Sequence, residues 1–304
     1  MNESKPTLVL DHVNKSFGDF NAVSDLSLQV KPGRVFGLIG PNGAGKTTTI
    51  RMIVNITVPD SGRIELLGQS MTTALQDRIG YLPEERGLYK RMKVGEQLRF
   101  FAELKNVVGN EADTRIDRWL KKLQLQDWKE KRTKDLSKGM QQKVQFITSV
   151  IHEPDLLILD EPFSGLDPVN VDLMKETILE LKGGNKTIIL STHQMEIAEK
   201  LCDDVCMINR SRKVLDGRLR DIRRSFSLNA VAVRFEGGNG FPPDPELVAS
   251  IREVGEEYEV LLNPGANPQT LLKRLVDAEV VISKFELVEP SLHDIFIQKV
   301  REAA

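Results

Sequence analysis

Cysteine is nearly missing from this chain of 304 residues: there are two, Cys202 and Cys206. Two cysteines in one segment do not build a disulfide framework, and no further Cys or close His completes a zinc set. Their helix-like spacing reads as two small buried hydrophobes in a reducing compartment. Long apolar runs are missing too. No stretch reaches the ~18 uncharged residues needed to span a bilayer, and Met1-Asn2-Glu3-Ser4-Lys5-Pro6 has no signal-peptide core. If the protein serves a membrane, a separate chain must cross it. There is no excess of one charge either. Lys+Arg 42 against Asp+Glu 44 leaves a net charge of −2, whereas a binder of nucleic acid or anionic lipid is expected to be basic. Aromatic residues make up 6% and hydrophobic residues 40%, which suits an ordinary globular protein with one large domain and one small one. No internal repeat is present.

What is there begins with Gly40-Pro41-Asn42-Gly43-Ala44-Gly45-Lys46-Thr47. It fits G-x-x-x-x-G-K-[ST], the phosphate-cradling loop. Val35-Phe36-Gly37-Leu38-Ile39 before it reads as a buried strand, and Thr48-Thr49-Ile50 after it as the start of a helix. Glycines let the backbone curl so that successive N–H groups point at phosphate oxygens, and the helix N-terminus adds its positive end. Lys46 is placed to reach the β- and γ-phosphates of a nucleoside triphosphate such as ATP, and the Thr47 hydroxyl to ligate Mg²⁺.

Upstream, Leu8 to Val13 and Val23 to Val30 read as strands. Phe17, in the turn between them, is either a platform for an adenine ring or an aromatic packed on the sheet. Ile79 to Pro83 reads as a strand end leading into the charged loop Glu84-Glu85-Arg86-Gly87. From about Lys93 the period becomes helical, with Val94, Leu98, Phe101 and Leu104 and then Ile116, Trp119, Leu120 and Leu123. A helical subdomain, about 90–150, is thus inserted into a strand-rich domain.

Leu156-Leu157-Ile158-Leu159-Asp160-Glu161 is an apolar run ending in two carboxylates. That pattern suits a buried parallel strand delivering acids at its C-terminal edge. Asp160 is placed to hold Mg²⁺, and Glu161 to orient or deprotonate an attacking water. Thr187 to Thr192 reads as a second such strand, with His193 at its edge and placed to contact the γ-phosphate. Beyond a charged, linker-like stretch at Arg218 to Arg224 lies a small α+β domain. Its expected elements are strands at Val231–Phe235, Tyr258–Leu262 and Val280–Leu287, helices at Pro245–Arg252, Thr270–Asp277 and Ser291–Val300, and a turn at Gly237-Gly238-Asn239-Gly240. It carries no recognisable catalytic constellation and reads as a packing or dimerisation appendage.

Leu136-Ser137-Lys138-Gly139-Met140-Gln141-Gln142 resembles the ABC signature, usually L-S-G-G-Q, at the head of a helix. With the phosphate loop, the Asp160-Glu161 pair, Ser164-Gly165-Leu166-Asp167 resembling the D-loop and His193 resembling the switch histidine, the motifs stand in family order. The chain resembles ABC-transporter ATPase subunits over roughly residues 7–220. Its tail, with Glu289-Pro290-Ser291-Leu292-His293-Asp294-Ile295-Phe296, is similar to the C-terminal domain of ATPase subunits from ABC-2-type exporters, the sodium-efflux ATPases being the nearest named group.

The resemblance implies an α/β P-loop NTPase fold, an ABC ATPase cassette with an inserted helical subdomain in 1–220, and an α+β accessory domain in 221–304. It also implies a head-to-tail homodimer of two ATPase subunits. Mg²⁺-ATP held by Gly40–Thr47 and Thr48 of one is covered by Ser137 and Gly139 of the other. Glu161, His193 and Lys46 are then the catalytic set, and Thr47, Asp160 and Glu84 the metal set. A separately encoded membrane permease is the implied partner, with no nucleic acid, and the implied location is the cytoplasmic face of the cell membrane. Glu84 stands where the family usually has glutamine. Its carboxylate either touches Mg²⁺ or the water, or serves only the coupling joint. Lys138 either adds charge near the partner's nucleotide or points to solvent. The competing reading is a soluble ABC-type ATPase acting on the ribosome or on nucleic acid. The single cassette, the short insert and the near-neutral charge count against it.

Overall fold

The computed structural model describes residues 5–85, 87–226, 230–236 and 244–302. By contact the chain divides into two compact units, Met1–Leu219 and Arg220–Ala304. The first unit runs β1 (Leu8–Phe17), β2 (Phe20–Val30), β3 (Val35–Ile39), α1 (Lys46–Ile53), β4 (Ser61–Leu66), β5 (Gln69–Ser70), β6 (Ile79–Leu82), α2 (Val94–Glu103), α3 (Gly109–Lys122), α4 (Lys138–Val150), β7 (Leu156–Asp160), α5 (Pro168–Gly183), β8 (Thr187–Thr192), α6 (Met195–Leu201), β9 (Asp204–Asn209) and β10 (Arg212–Arg218). A helix, α7 (Leu219–Phe226), crosses the boundary.

Two sheets build this unit. One is antiparallel in the order β2-β1-β4-β5; the other runs β10-β9-β3-β8-β7-β6. In the second, β9, β3, β8, β7 and β6 are parallel and only β10 is antiparallel. Every residue of β3, β7 and β8 is buried. The apolar runs of β3, of Leu156–Leu159 in β7 and of Ile188–Leu190 in β8 are what a parallel strand covered on both faces requires. Leu10, Leu28, Phe36, Ile50, Ile158 and Ile189 belong to one continuous core under both sheets. Register places Ile39 opposite Thr192, and Asp160 opposite Ser191. The carboxyl ends of three strands therefore lie side by side, and the loops that follow them converge.

The inserted helices are amphipathic. Val94, Leu98, Ile116, Trp119, Leu120 and Leu123 are buried as their spacing predicts, but Leu104 is exposed and Ala102 takes the buried position in its place. Ser137 caps α4 by accepting from the Met140 N–H at 3.2 Å. Asp167 caps α5 by accepting from the Asn170 N–H at 3.0 Å, with Pro168 in the first turn. Both are orphan helix donors satisfied by a side chain.

The second unit holds β11 (Ala230–Glu236), β12 (Val248–Val254), β13 (Glu257–Leu262), α8 (Pro268–Asp277), β14 (Val281–Leu287) and α9 (Leu292–Glu302). Its antiparallel sheet is ordered β12-β13-β11-β14. Val231, Val233, Val260 and Leu262 pack with Leu271 and Leu275 of α8. Two expectations are corrected here. Pro245–Arg252 is not a helix. Residues 245–247 form a turn, and β12 then pairs with β13, Val254 opposite Glu257. Gly255, at φ +62, makes the tight hairpin between them, and Val248, Ile251 and Val254 are β-branched residues that suit the strand. Arg218–Arg224 lies at the boundary between the units but is regular rather than loop-like. It covers the end of β10 and most of α7, where Leu219 and Ile222 are buried. The expected turn at Gly237–Gly240 lies outside the described residues.

Candidate functional site

The loop from β3 to α1 is shaped by two glycines whose conformations no other residue fits. Gly40 sits at φ +154, and a Cβ there would stand 2.1 Å from the Ile208 carbonyl oxygen. Gly45 sits at φ +110, and its Cβ would stand 2.4 Å from the Ala22 carbonyl oxygen. Ala44 is buried, its N–H bonded to the Pro41 carbonyl at 3.2 Å and its carbonyl to the Ser211 N–H at 3.1 Å. The cradle is thus fixed from outside by β2, β9 and the β9–β10 turn. Lys46 lies folded against it. Its Nζ donates to the Gly40 carbonyl at 2.8 Å and the Pro41 carbonyl at 3.1 Å.

The loop opens on a cavity of about 390 Å³ lined by Phe20, Ala22, Asn42, Gly43, Gly45, Lys46, Thr47, Thr48, Glu84, Asp160 and Glu161. The structure therefore gathers the loop, Glu84 and both strand-end acids around one space. Burial lowers the Lys46 pKa, and the negative charges of Glu161, Asp160 and Glu84 oppose that shift.

Asp160 is fully buried, and neither carboxylate oxygen has a hydrogen-bond partner. Burial raises its pKa. The nearby hydroxyls of Ser191 and Thr47 counter the rise without reaching bonding geometry at the carboxylate oxygens. An ionised carboxylate left so is costly unless something pairs with it. The donor set, one carboxylate beside the Thr47 hydroxyl, suits a small hard cation that keeps waters and takes phosphate oxygens. Among the described residues no cluster of three or more His, Cys, Asp or Glu side chains could cage a metal unaided. The Asp160 and Thr47 donors fit a Mg²⁺ ion that takes its remaining ligands from phosphate and water.

Glu161 is held differently. Its backbone has φ +49, a left-handed conformation uncommon outside glycine, and such strain gathers at functional positions. Its Oε1 accepts from the His193 N–H at 3.0 Å and meets His193 Nδ1 at 2.7 Å. The Thr192 hydroxyl donates to Oε2 at 3.4 Å. His193 thus contacts the acid, and its own side chain stays half-exposed. Both carboxylate oxygens are thus oriented, Oε1 by His193 and Oε2 by Thr192, on a residue that lines the cavity.

Outside the phosphate loop itself, four expected residues do not line the cavity: Phe17, Ser137, Gly139 and His193, the last turned onto Glu161. Phe17 ends β1, half-exposed, with the Lys15 ammonium 5.4 Å from its ring centre. The aromatic lining the cavity is Phe20, its partner across the hairpin. Ser137 and Gly139 do not line the cavity; they form the N-terminus of α4. Gly139 packs on the Ser164–Asp167 turn, where an added Cβ would meet Leu166 Cδ2 at 3.3 Å. Sequence reasoning missed Phe20, Thr192 and two glutamines of α4. Gln142 Nε2 donates to the Pro162 carbonyl at 3.2 Å, and Gln145 Nε2 to those of Pro83 and Glu85 at 3.3 and 3.0 Å. Thr192 alone had a visible signal, its place between a buried strand and His193.

Comparison with known proteins agrees with this geometry. Residues 23–164 match the ABC transporter family, and residues 217–300 match the ATP-binding protein DrrA1-3-like C-terminal domain. The chain is 43% identical to the ABC transporter ATP-binding protein YhaQ of Bacillus subtilis, over 96% of this chain and 98% of that one. It is 38% identical to the Nod factor export ATP-binding protein I of Cupriavidus metallidurans, over 71% of this chain and 72% of that one. Among solved structures it is similar to cbiO1 from Clostridium perfringens, part of the ABC transporter complex cbiONQ. The TM-score is 0.64 at 27% identity, covering 73% of this chain and 94% of cbiO1.

Proposed function

This chain belongs to the ATP-binding subunits of ABC transporters, whose ATPase domain binds and hydrolyses ATP, and from that premise we propose that two copies form paired composite sites that drive an exporter. In each, Gly40–Thr47 and Thr48 of one copy hold the triphosphate, and Ser137 and Gly139 of the other cover it. The observation that carries the reading is Glu161. It is a buried carboxylate on the rim of the phosphate-loop cavity, anchored through His193 and Thr192 and aimed by a strained backbone.

Lys46 releases the loop carbonyls and turns its ammonium to the β- and γ-phosphates. Thr47 and Asp160 would hold Mg²⁺, which would supply charge neutralisation at the phosphates. The cavity itself supports that need. Its lining carries one cation, Lys46, against Glu84, Asp160 and Glu161, so a bare triphosphate would meet net repulsion. Glu161 orients water and accepts its proton, and His193 keeps the carboxylate in place as charge moves.

Ser137 and Gly139 stand away from the cavity of their own chain, at a capped helix N-terminus suited to phosphate, which supports the head-to-tail arrangement. No helix among the described residues is long and apolar enough to cross a membrane. The proposed partner is a separately encoded permease, contacted from its cytoplasmic side; the named membership of cbiO1 in a complex and the export role of the Nod factor protein support this. The decisive experiment uses Glu161→Gln with saturating Mg²⁺-ATP in light scattering. A dimer that dissociates when ATP is withdrawn is expected. A species that stays monomeric at every protein concentration refutes the composite site.

A further inference from the structure

The loop after β6 carries Glu84 into the cavity, yet Glu84 is itself exposed. A carboxylate on an exposed bend needs something else to set its direction. That something is one side chain of α4. Gln145 is 3% exposed, and its Nε2 donates to the Pro83 carbonyl at 3.3 Å and the Glu85 carbonyl at 3.0 Å. The two acceptors flank Glu84, so one amide fixes the backbone on both sides of it. The amide nitrogen has two protons to give, and both are used. Gln145 Oε1 is buried and has no partner among the described residues. Keeping a polar group half-satisfied is a cost that an apolar residue would avoid, so the donor half is what the position retains.

We propose that Gln145 is a positioning residue that holds Glu84 toward the bound nucleotide and its Mg²⁺. This rests on the nucleotide-site reading above. It also explains how a glutamate serves in this loop. A carboxylate near a triphosphate is tolerable only where the metal screens it, so its direction must be fixed more tightly than that of a neutral amide. The same helix reaches the Pro162 carbonyl, next to Glu161, through Gln142. The segment whose N-terminus carries Ser137 and Gly139 thus grips the loops of both acids.

The test is a double-mutant cycle on the full chain, read as the ratio of Mg²⁺-ATP affinity to metal-free ATP affinity by titration calorimetry. Gln145→Leu is expected to lower the ratio about fivefold, Glu84→Ala to lower it at least as much, and the double variant to equal Glu84→Ala within about twofold. Gln145→Met, similar in length and without a donor, carries the same expectation should the leucine variant fail to fold. Metal-free affinity reports that the loop is intact. An unchanged ratio in Gln145→Leu overturns the proposal. So does an equal loss in the Glu84→Ala background, because Gln145 then acts through something other than Glu84. A wild-type chain that binds no Mg²⁺-ATP overturns the nucleotide-site reading first, and the positioning role with it.

Discussion

Replacing Glu161 by glutamine changes the chemistry of the site and almost nothing else. The Gln carbonyl oxygen can keep the bonds that Glu161 Oε1 accepts at 2.7 and 3.0 Å from His193. The new amide can face the Thr192 hydroxyl, which has lone pairs to accept with. Volume is conserved, and so is the residue at φ +49. What disappears is the proton acceptor. A positioned base contributes about 10²–10⁴-fold, equivalent to roughly 3–5 kcal/mol of barrier at about 1.4 kcal/mol per decade. Lys46, Thr47 and the loop amides are untouched, so the affinity for Mg²⁺-ATP stays within about threefold. Single-turnover phosphate release alongside equilibrium ATP binding separates the two. A variant that binds ATP normally and hydrolyses it within tenfold of wild type refutes the base assignment. A variant that loses binding refutes the argument that only chemistry was changed.

Asp160→Asn is expected to stabilise the metal-free protein while abolishing its response to Mg²⁺. Burial raises the Asp160 pKa above its ordinary 3.8, so the folded state holds a proton that the unfolded chain has released. Stability therefore falls as pH rises from that value through the raised one. Asparagine removes the buried charge, and thermal melting without metal should show a higher midpoint than wild type; a lower melting point contradicts the orphan-carboxylate reading. Gly45→Ala forces a Cβ to within 2.4 Å of the Ala22 carbonyl at φ +110. A loss of about 1–3 kcal/mol in stability is expected, together with loss of ATP binding. Normal binding in that variant would show that the loop can be rebuilt without its glycine.

What was legible in the sequence was local. The phosphate loop, the acids ending β7 and the buried runs of β3, β7 and β8 each declare themselves within a few residues. Fold and family followed from their order. What was not legible depends on which segments meet. Phe20 reaches the cavity because the β1–β2 hairpin folds over the loop, and no spacing in the sequence distinguishes it from Phe17. Gln142 and Gln145 look like polar residues in a helix until α4 is seen against the Pro83–Glu85 and Pro162 backbones. The helix expected at Pro245–Arg252 failed for a related reason. Glu246, Leu247 and Ala249 favour helix, but the Gly255 hairpin lets Val248, Ile251 and Val254 pair with β13, and tertiary pairing outweighs propensity there.

If each ATP site is built from two chains, as proposed, mixing two inactive variants restores hydrolysis. Lys46→Ala disables the phosphate loop, and Gly139→Asp puts a carboxylate where the partner's phosphate should lie. Each alone spoils both sites of a symmetric pair. In a mixed dimer the two lesions fall together in one site and leave the other intact. Random pairing therefore restores about a quarter of wild-type ATP hydrolysis on mixing. If each site lies within a single chain, the mixture hydrolyses no more ATP than its inactive components.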